Sequence, residues 1–219
     1  MDDIAQLFEQ NRLWAAAMQA RDAEYFERLL PSQKPRYFWI GCVDSRIEPN
    51  RCIALGPGKL LVHRNVANIV ASDDLSVMAA LQFAVEVLRV GHILVVGHEH
   101  CGGIAAALTG EAPDLTDQWL GHVRAVNKCH AALIEALPDL HARCDLLCEL
   151  NAVEQARHVC QSPAAQNAWA RGQQLAVHAW IYGLSNGLLR DAGFSVGSAV
   201  SVDSAYADAI KAVAERHHV

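Results

Sequence analysis

Two cysteines and one histidine, with charged residues beside them, are the side chains of this sequence best suited to chemistry. Cys42 ends an apolar run and is followed, at steps of two, by a carboxylate at Asp44 and a guanidinium at Arg46. His98 ends a second apolar run, and Cys101 follows it three residues later. Two thiolates and one imidazole form a ligand set that suits zinc. Three protein ligands leave one position of a tetrahedral ion open, which is the mark of a catalytic zinc site.

The elements around these residues predict that they meet. Residues two apart lie on one face of an extended chain, so Cys42, Asp44 and Arg46 would point the same way if the strand continued past Cys42. Both apolar runs are typical of buried parallel strands, whose carboxyl ends hold the sites of open α/β sheets. Cys101 would open a helix, whose N-terminus favours a thiolate.

At these residues the chain resembles the β-class carbonic anhydrases. The motifs of that family are Cys-x-Asp-x-Arg and His-x-x-Cys, and this sequence contains both in order. Other stretches that look like the family extend the match from the N-terminal helix to about residue 190. They are Gln33–Trp39, His63–Asn68, Cys101–Gly103, Ala168–Gly172 and Val177–Tyr182.

The resemblance implies a zinc-dependent enzyme that hydrates CO2 reversibly to bicarbonate and a proton. One zinc ion per chain would be held by Cys42, His98 and Cys101. Asp44 can only accept hydrogen bonds, so it would orient the attacking water, while Arg46 keeps it ionised and off the metal. In an inactive state Asp44 would itself become the fourth zinc ligand. The competing interpretations are a redox pair or buried thiols for the cysteines, a core histidine for His98 and a structural ion pair for Asp44 and Arg46.

Three further residues are expected to contact the substrate. The backbone N–H groups of Gly102 and Gly103 would stabilise the developing oxyanion, although the two glycines could also serve only a tight strand-to-helix turn. Gln33 stands at a substrate-pocket position of the family and would reach the site across a subunit interface. His100, between two zinc ligands, is either a solvated loop residue or a proton relay.

The resemblance also implies regulation by bicarbonate and by pH. In one subgroup of the family a tryptophan, an arginine and a tyrosine form a non-catalytic bicarbonate site, and Trp39, Arg64 and Tyr182 match those positions. The alternative is that they are two core aromatic residues and an arginine paired with a carboxylate. Leu61 and Phe83 depart from common family residues near the pocket, which leaves hydrolysis of COS or CS2 as an alternative activity. A catalytically silent protein that binds zinc or bicarbonate is a second alternative.

The composition agrees with one soluble domain. Of the 219 residues, 52% are hydrophobic and 19% are charged, so general disorder is excluded. The net charge of −6 argues against a nucleic-acid surface, and no apolar run is long enough to span a membrane. We therefore expect a cytoplasmic protein. Seven cysteines without a small-domain spacing indicate thiols and metal ligands, and we treat those near Cys144 and Cys148 as core residues more readily than as a second metal site.

The periodicity predicts an α/β fold, with a mostly parallel central sheet flanked by helices and an N-terminal helical arm. We expect a single domain over residues 1–219, made of an arm at 1–30, a zinc-binding core at 37–190 and a C-terminal helix at 203–216. By the family resemblance the protein would be a homodimer or homotetramer. The tail residues His217 and His218 are predicted to fray. The predicted helices are 2–18, 22–30, one capped within 72–74 and running to about 89, and then 102–109, 115–136, 143–160, 163–171 and 203–216. The predicted strands are 37–41, 60–63, 91–97, 174–180 and 187–191.

Overall fold

A computed structural model describes residues 3–219 and divides into two compact units. The N-terminal unit ends at Lys34, and the larger unit is Pro35–Val219. The N-terminal unit contains α1 (Asp3–Arg21), which confirms the predicted helix and extends it by three residues, while position 2 lies outside the described residues. The predicted helix at 22–30 is wrong, because only a single 3-10 turn at Glu27–Leu29 forms there. The Asp22 carboxylate accepts hydrogen bonds from the Glu24 backbone N–H and from the Arg28 guanidinium, which stabilises a turn in place of a helix.

The larger unit is built on a five-stranded sheet in the order β2-β1-β3-β4-β5. Its strands are β1 (Tyr37–Cys42), β2 (Leu60–Asn65), β3 (His92–His98), β4 (Ala176–Tyr182) and β5 (Leu189–Val196). The first four are parallel, and β5 pairs antiparallel with β4. The predicted α/β architecture is thereby confirmed.

The burial of each strand follows its apolar pattern. β1 and β3, at the centre of the sheet, are buried along almost their whole length on both faces, as continuous apolar strands of parallel sheets are. β5, at the edge, alternates between buried and exposed residues because only one of its faces meets the core. The two strands that end at Cys42 and His98 are therefore neighbours in the most buried part of the sheet.

Helices join the strands and cover the sheet. Those of the larger unit are α2 (Pro49–Cys52), α3 (Leu75–Gln82), α4 (Gly102–Thr109), α5 (Asp114–Cys129), α6 (Ala131–Glu135), α7 (Leu140–Gln161), α8 (Pro163–Ala170) and α9 (Val202–His217). Asp74 caps α3 and Asp139 caps α7, each through a side chain that accepts a backbone N–H. Among the described residues, no helix is long and apolar enough to cross a membrane.

Two predicted helices are interrupted. The helix predicted as far as residue 89 ends as α3 at Gln82 and continues as a π-helical turn, Phe83–Val87, in which the Leu88 N–H donates to the Phe83 carbonyl. The helix predicted at 115–136 breaks at His130, where the backbone leaves the helical region and the ring bonds the Tyr206 hydroxyl at 3.1 Å. Local periodicity cannot report either break, because the apolar pattern continues through both.

A buried carboxylate holds α7 against β5 and α9. Glu149, on α7, is 4% exposed and accepts hydrogen bonds from Arg190 of β5 and from Arg216 and His217 of α9, at 2.6 to 3.1 Å. We call these four residues the Glu149 network. The prediction that His217 frays is wrong, because its ring donates to this carboxylate; His218 is exposed, as expected of a tail residue.

Candidate metal centre

The predicted ligands converge at the carboxyl ends of the two central strands. Cys42 is the last residue of β1, His98 is the last residue of β3, and Cys101 precedes the first turn of α4. Their ligand atoms all lie within 4.8 Å of one another, and the two sulfurs are 3.9 Å apart. All three residues are buried, with at most 7% of their surface exposed. The structure therefore brings together the three side chains that the two motifs predict.

The hydrogen bonds of His98 determine which ring nitrogen can bind a metal. Its Nδ1 lies 2.8 Å from the Glu99 carbonyl oxygen, which can only accept, so Nδ1 carries the proton. The lone pair is then on Nε2, which is buried and has no hydrogen-bond partner among the described residues. A carbonyl that fixes the ring and its tautomer in this way is the usual outer neighbour of a metal-binding histidine.

The two thiols ionise in sequence. A hydrogen bond from the Cys101 thiol, opposed by burial, lowers the pKa of Cys42 to about 4. The same hydrogen bond, together with burial, raises the pKa of Cys101 well above its ordinary value. Cys42 is therefore the first of the two thiols to ionise, and a cation would be needed to deprotonate both sulfurs.

The donor set fits zinc. An orphaned, buried Nε2 faces two buried sulfurs, one of which is already a thiolate, and thiolates with imidazole are the soft ligands that zinc takes. An unpaired buried nitrogen costs about 1–3 kcal/mol, and a metal ion removes that cost. Of the other cysteines in the helices, Cys144, Cys148 and Cys160 are buried in the core, whereas Cys129 is exposed.

Asp44 and Arg46 form a pair beside the ligands. The Arg46 guanidinium donates from Nε to Oδ1 at 2.9 Å and from Nη2 to Oδ2 at 2.6 Å, and Oδ2 lies 3.9 Å from His98 Nε2. The guanidinium hydrogen bonds hold the pKa of Asp44 well below its usual range, so the carboxylate stays ionised. In this arrangement Asp44 is bound to Arg46.

The pair forms for a different reason from the one that the spacing suggests. β1 ends at Cys42, so the extended chain needed to align Asp44 and Arg46 is not present. Instead the Asp44 carboxylate accepts the Arg46 backbone N–H at 3.0 Å, which closes a tight turn and brings the guanidinium back over the same carboxylate. Arg46 also donates to the His100 carbonyl at 3.3 Å, which joins this turn to the turn between His98 and Cys101.

The two glycines after Cys101 differ in their surroundings. A Cβ on Gly103 would lie 2.8 Å from Val66 Cγ1, so close packing alone accounts for this glycine. A Cβ on Gly102, at the start of α4, would meet nothing within 4 Å, so packing does not account for this glycine. Gln33 lies in an exposed, irregular segment of the N-terminal unit.

Trp39, Arg64 and Tyr182 lie on or beside the smaller apolar cluster of the sheet. Trp39 is buried there with Tyr182 packed against the same cluster, and the strand register places Arg64 opposite Gly41, two residues from Trp39. The Arg64 guanidinium donates to the Cys42 carbonyl at 2.8 Å and to the Asp44 carbonyl at 2.5 Å. Sequence reasoning missed these two acceptors, because they are backbone atoms at the end of β1 and in the loop after it, 22 and 20 residues away.

A second metal-capable group borders the centre. His100, His141 and Asp145 also have ligand atoms within 4.8 Å of one another. The sequence predicted no function for residues 110–165. The signal that could have found this group is the spacing of His141 and Asp145, four residues apart on one face of α7.

The similarity to known proteins covers the whole centre. A carbonic anhydrase family model matches residues 37–189. The carbonic anhydrase of Emericella nidulans is 40% identical over 185 residues, which are 84% of this chain and 81% of that protein. Among solved structures, the Coccomyxa β-carbonic anhydrase in complex with acetazolamide has a TM-score of 0.86 at 38% identity and covers 90% of each chain. One of two tetrameric β-carbonic anhydrases from Sordaria macrospora has a TM-score of 0.84 at 31% identity, over 90% of this chain and 100% of that one.

The matched range contains both strands that end at the centre and all three candidate ligands. Since the family model matches most of the chain, and since the fold and much of the sequence agree with those of a solved β-carbonic anhydrase, the chain belongs to the β-class carbonic anhydrases.

Proposed function

We propose that this carbonic anhydrase hydrates CO2 reversibly with one zinc ion held by Cys42, His98 and Cys101. The observation that carries the proposal is the unpartnered Nε2 of His98, buried beside two sulfurs and turned to the metal side by the Glu99 carbonyl. Zinc bound there supplies a Lewis acid that brings the pKa of a water molecule close to neutrality.

Asp44 and Arg46 prepare the water for attack. Because the carboxylate can only accept, it would accept a hydrogen bond from the water and so direct the oxygen lone pair towards CO2. Arg46 keeps the carboxylate ionised and holds it in one orientation through two parallel hydrogen bonds. The backbone N–H groups of Gly102 and Gly103, in the first turn of α4, would stabilise the oxygen of the forming bicarbonate. Gln33 is retained as a proposed substrate contact.

Regulation by bicarbonate and pH is the finer part of the proposal. An anion bound to Arg64, with Trp39 and Tyr182 as walls, would compete for a guanidinium that now holds the Cys42 and Asp44 carbonyls. Release of those carbonyls would let Asp44 leave Arg46 and become the fourth zinc ligand. The ligand-bound state would then be inactive, provided that bicarbonate binds it more tightly than the active state.

We further propose a homodimer or homotetramer. The apolar side chains of α1 are exposed, Phe8 at 73% and Leu7 at 58%, and such a surface on an amphipathic helix favours a protein partner. One structural relative is described as tetrameric.

Metal analysis and a CO2 hydration assay test the main proposal. We expect about one zinc per chain by mass spectrometry, loss of stopped-flow CO2 hydration after chelation, and recovery when zinc is restored. A zinc-loaded protein that hydrolyses COS or CS2 but not CO2 would support the alternative activity. A zinc-loaded protein without turnover of any of the three would indicate a binding protein.

The regulatory proposal is tested by Arg64→Ala. We expect this variant to keep its zinc and to lose the part of bicarbonate inhibition that exceeds product competition. Arg171→Ala, which removes an exposed side chain whose guanidinium donates to Gln173, is the matched control. Unchanged inhibition in Arg64→Ala would show that the three residues only pack and hold the loop.

A further inference from the structure

The group formed by His100, His141 and Asp145 has the features of a second metal site. The imidazole rings of His100 and His141 are stacked, with centroids 4.7 Å apart and planes 13° from parallel. His141 Nε2 lies 3.7 Å from Asp145 Oδ2, and one ligand atom from each residue lies within 4.8 Å of the other two. Both histidines are exposed, so an ion in solution can reach them.

The carboxylate of Asp145 is only partly satisfied by contacts with the described residues. Asp145 Oδ1 is buried and has no hydrogen-bond partner, and within residues 3–219 the ion pairs within 4.0 Å join Asp145 to His141 alone. A buried carboxylate oxygen without a donor is unfavourable, and in native proteins it indicates a role or a missing ion. Within the described residues, no lysine or arginine forms an ion pair with the Asp145 carboxylate.

The donor set selects the class of ion. Two imidazoles with one carboxylate are ligands that zinc, copper, nickel and iron take, whereas magnesium and calcium prefer oxygen alone. A tetrahedral ion with bonds near 2.1 Å holds its ligands roughly 3.4 Å apart. Because both imidazoles are on the surface, small rotations can bring their nitrogens from the present spacing to that one.

The group connects the catalytic turn to a different element. His100 lies between the proposed zinc ligands, has a left-handed backbone with φ of 54°, and accepts a hydrogen bond from Arg46 through its carbonyl. His141 and Asp145 lie in the first two turns of α7. An ion held by all three would tie the turn between His98 and Cys101 to this helix.

We propose that His100, His141 and Asp145 form a second site for a divalent transition-metal ion, separate from the Cys42, His98 and Cys101 centre and weaker than it. It is weaker because it has one carboxylate and no thiolate, and because two of its three ligands compete with water. The ion is bound at the edge of the catalytic centre. It restrains the turn between His98 and Cys101, which contains the His100 carbonyl that accepts a hydrogen bond from Arg46.

Zinc binding to tag-free, full-length protein tests this site. We expect equilibrium dialysis with mass spectrometry, and titration calorimetry, to show a second equivalent of Zn²⁺ that binds after the first. His141→Ala should bind that second equivalent at least about tenfold more weakly, since even the loss of an outer neighbour of a metal costs tenfold or more. The control is His218→Ala, which removes an exposed histidine outside the group and should bind as the wild type does.

Asp145→Asn gives an independent measurement, because it preserves the shape of the side chain and removes its charge. It too should weaken the second equivalent at least about tenfold, while the first equivalent stays bound in both variants. The proposal is overturned if the wild type binds no second equivalent, or if both variants bind it as tightly as the wild type. Absence of the first equivalent would count against the catalytic zinc site and not against this one, so the two failures are distinguishable.

Discussion

The metal centre and the Glu149 network are both buried clusters of polar side chains, and they treat those side chains in opposite ways. In the network, both carboxylate oxygens of Glu149 accept charged hydrogen bonds from three residues. At the metal centre, His98 Nε2 has no hydrogen-bond partner within residues 3–219, and two thiols face each other over 3.9 Å. Both clusters involve α7: Glu149 lies on this helix, and His98 lies on β3, against which the helix packs.

The difference separates stability from function. The buried carboxylate of Glu149 is fully paired. It joins three elements and needs no ligand from outside the protein. A buried nitrogen that is left unpaired beside two thiols costs free energy in the absence of a ligand, so its persistence indicates that something binds there. The same criterion, applied to Asp145 Oδ1, points to the second metal site.

The largest effect is expected from removing a zinc ligand. Cys101→Ser should leave little zinc in the purified protein and should reduce CO2 hydration to about the uncatalysed rate, because a hydroxyl is a poor substitute for a thiolate. Mass spectrometry and stopped-flow hydration measure both. Cys129→Ser, which changes an exposed thiol away from the centre, is the control and should be normal. A full zinc content in Cys101→Ser would remove this cysteine from the ligand set.

Removing Glu149 should unfold the protein more easily without changing its chemistry. Glu149→Ala leaves two arginines and a histidine without their carboxylate, which costs about 3–5 kcal/mol for a buried pair. We expect that loss in the free energy of urea unfolding at fixed protein concentration, with zinc per chain unchanged. Glu111→Ala, at an exposed position, is the matched control. Loss of zinc in folded Glu149→Ala would show that the two clusters are not independent.

Acid should abolish the contribution of the Glu149 carboxylate to the free energy of unfolding. Burial alone would raise the pKa of Glu149, but hydrogen bonds from His217 and Arg190 outweigh it and lower the pKa from 4.5 to about 2. A lowered pKa in the folded state stabilises the protein fully above pH 4.5 and no longer does so once the pH has fallen below about 2. The stability difference between the wild type and Glu149→Gln should therefore narrow from pH 5 to pH 2, by on the order of 3 kcal/mol. A constant difference would contradict this.

Replacing Asp44 should reduce catalysis and spare the fold. Asp44→Asn keeps the size of the side chain but places an amide where the water needs an acceptor, so CO2 hydration should fall by ~10²-fold or more, as when an aimed catalytic group is lost. Zinc content and unfolding should stay close to those of the wild type. Near-normal turnover would make the pair with Arg46 structural, and the centre would then resemble the Glu149 network more than we propose.

The smallest effect is expected from His217. His217→Ala removes one of the donors to Glu149 and leaves both arginines. It should lower the free energy of unfolding by about 1.5 kcal/mol, the lower end of the range for a hydrogen bond to a charged group. The adjacent and exposed His218→Ala should cost nothing measurable in the same urea titration. Equal stability of the two variants would show that His217 contributes no more to stability than a frayed tail residue, as the sequence predicts.

The sequence alone determined the chemistry of the centre and much of its position. Apolar runs ending at Cys42 and His98 predicted two buried parallel strands, and the carboxyl ends of such strands meet. The soft ligand set and the two motifs followed from residue types and short spacings, which are properties of a few consecutive residues. Helix breaks were not predictable in this way, because the apolar pattern continues through Phe83 and His130 while the backbone does not.

Only the tertiary structure decided how the side chains of distant elements are used. It placed the Arg64 guanidinium on the carbonyls of Cys42 and Asp44, His217 on Glu149, and His100 against His141. It also closed the Asp44 turn onto Arg46 after β1 had ended, where the spacing suggested a continuing strand. The physical reason is that periodicity reports the local backbone, whereas these contacts depend on how α7, α9 and the loops pack on the sheet, and packing is fixed only when the whole core forms.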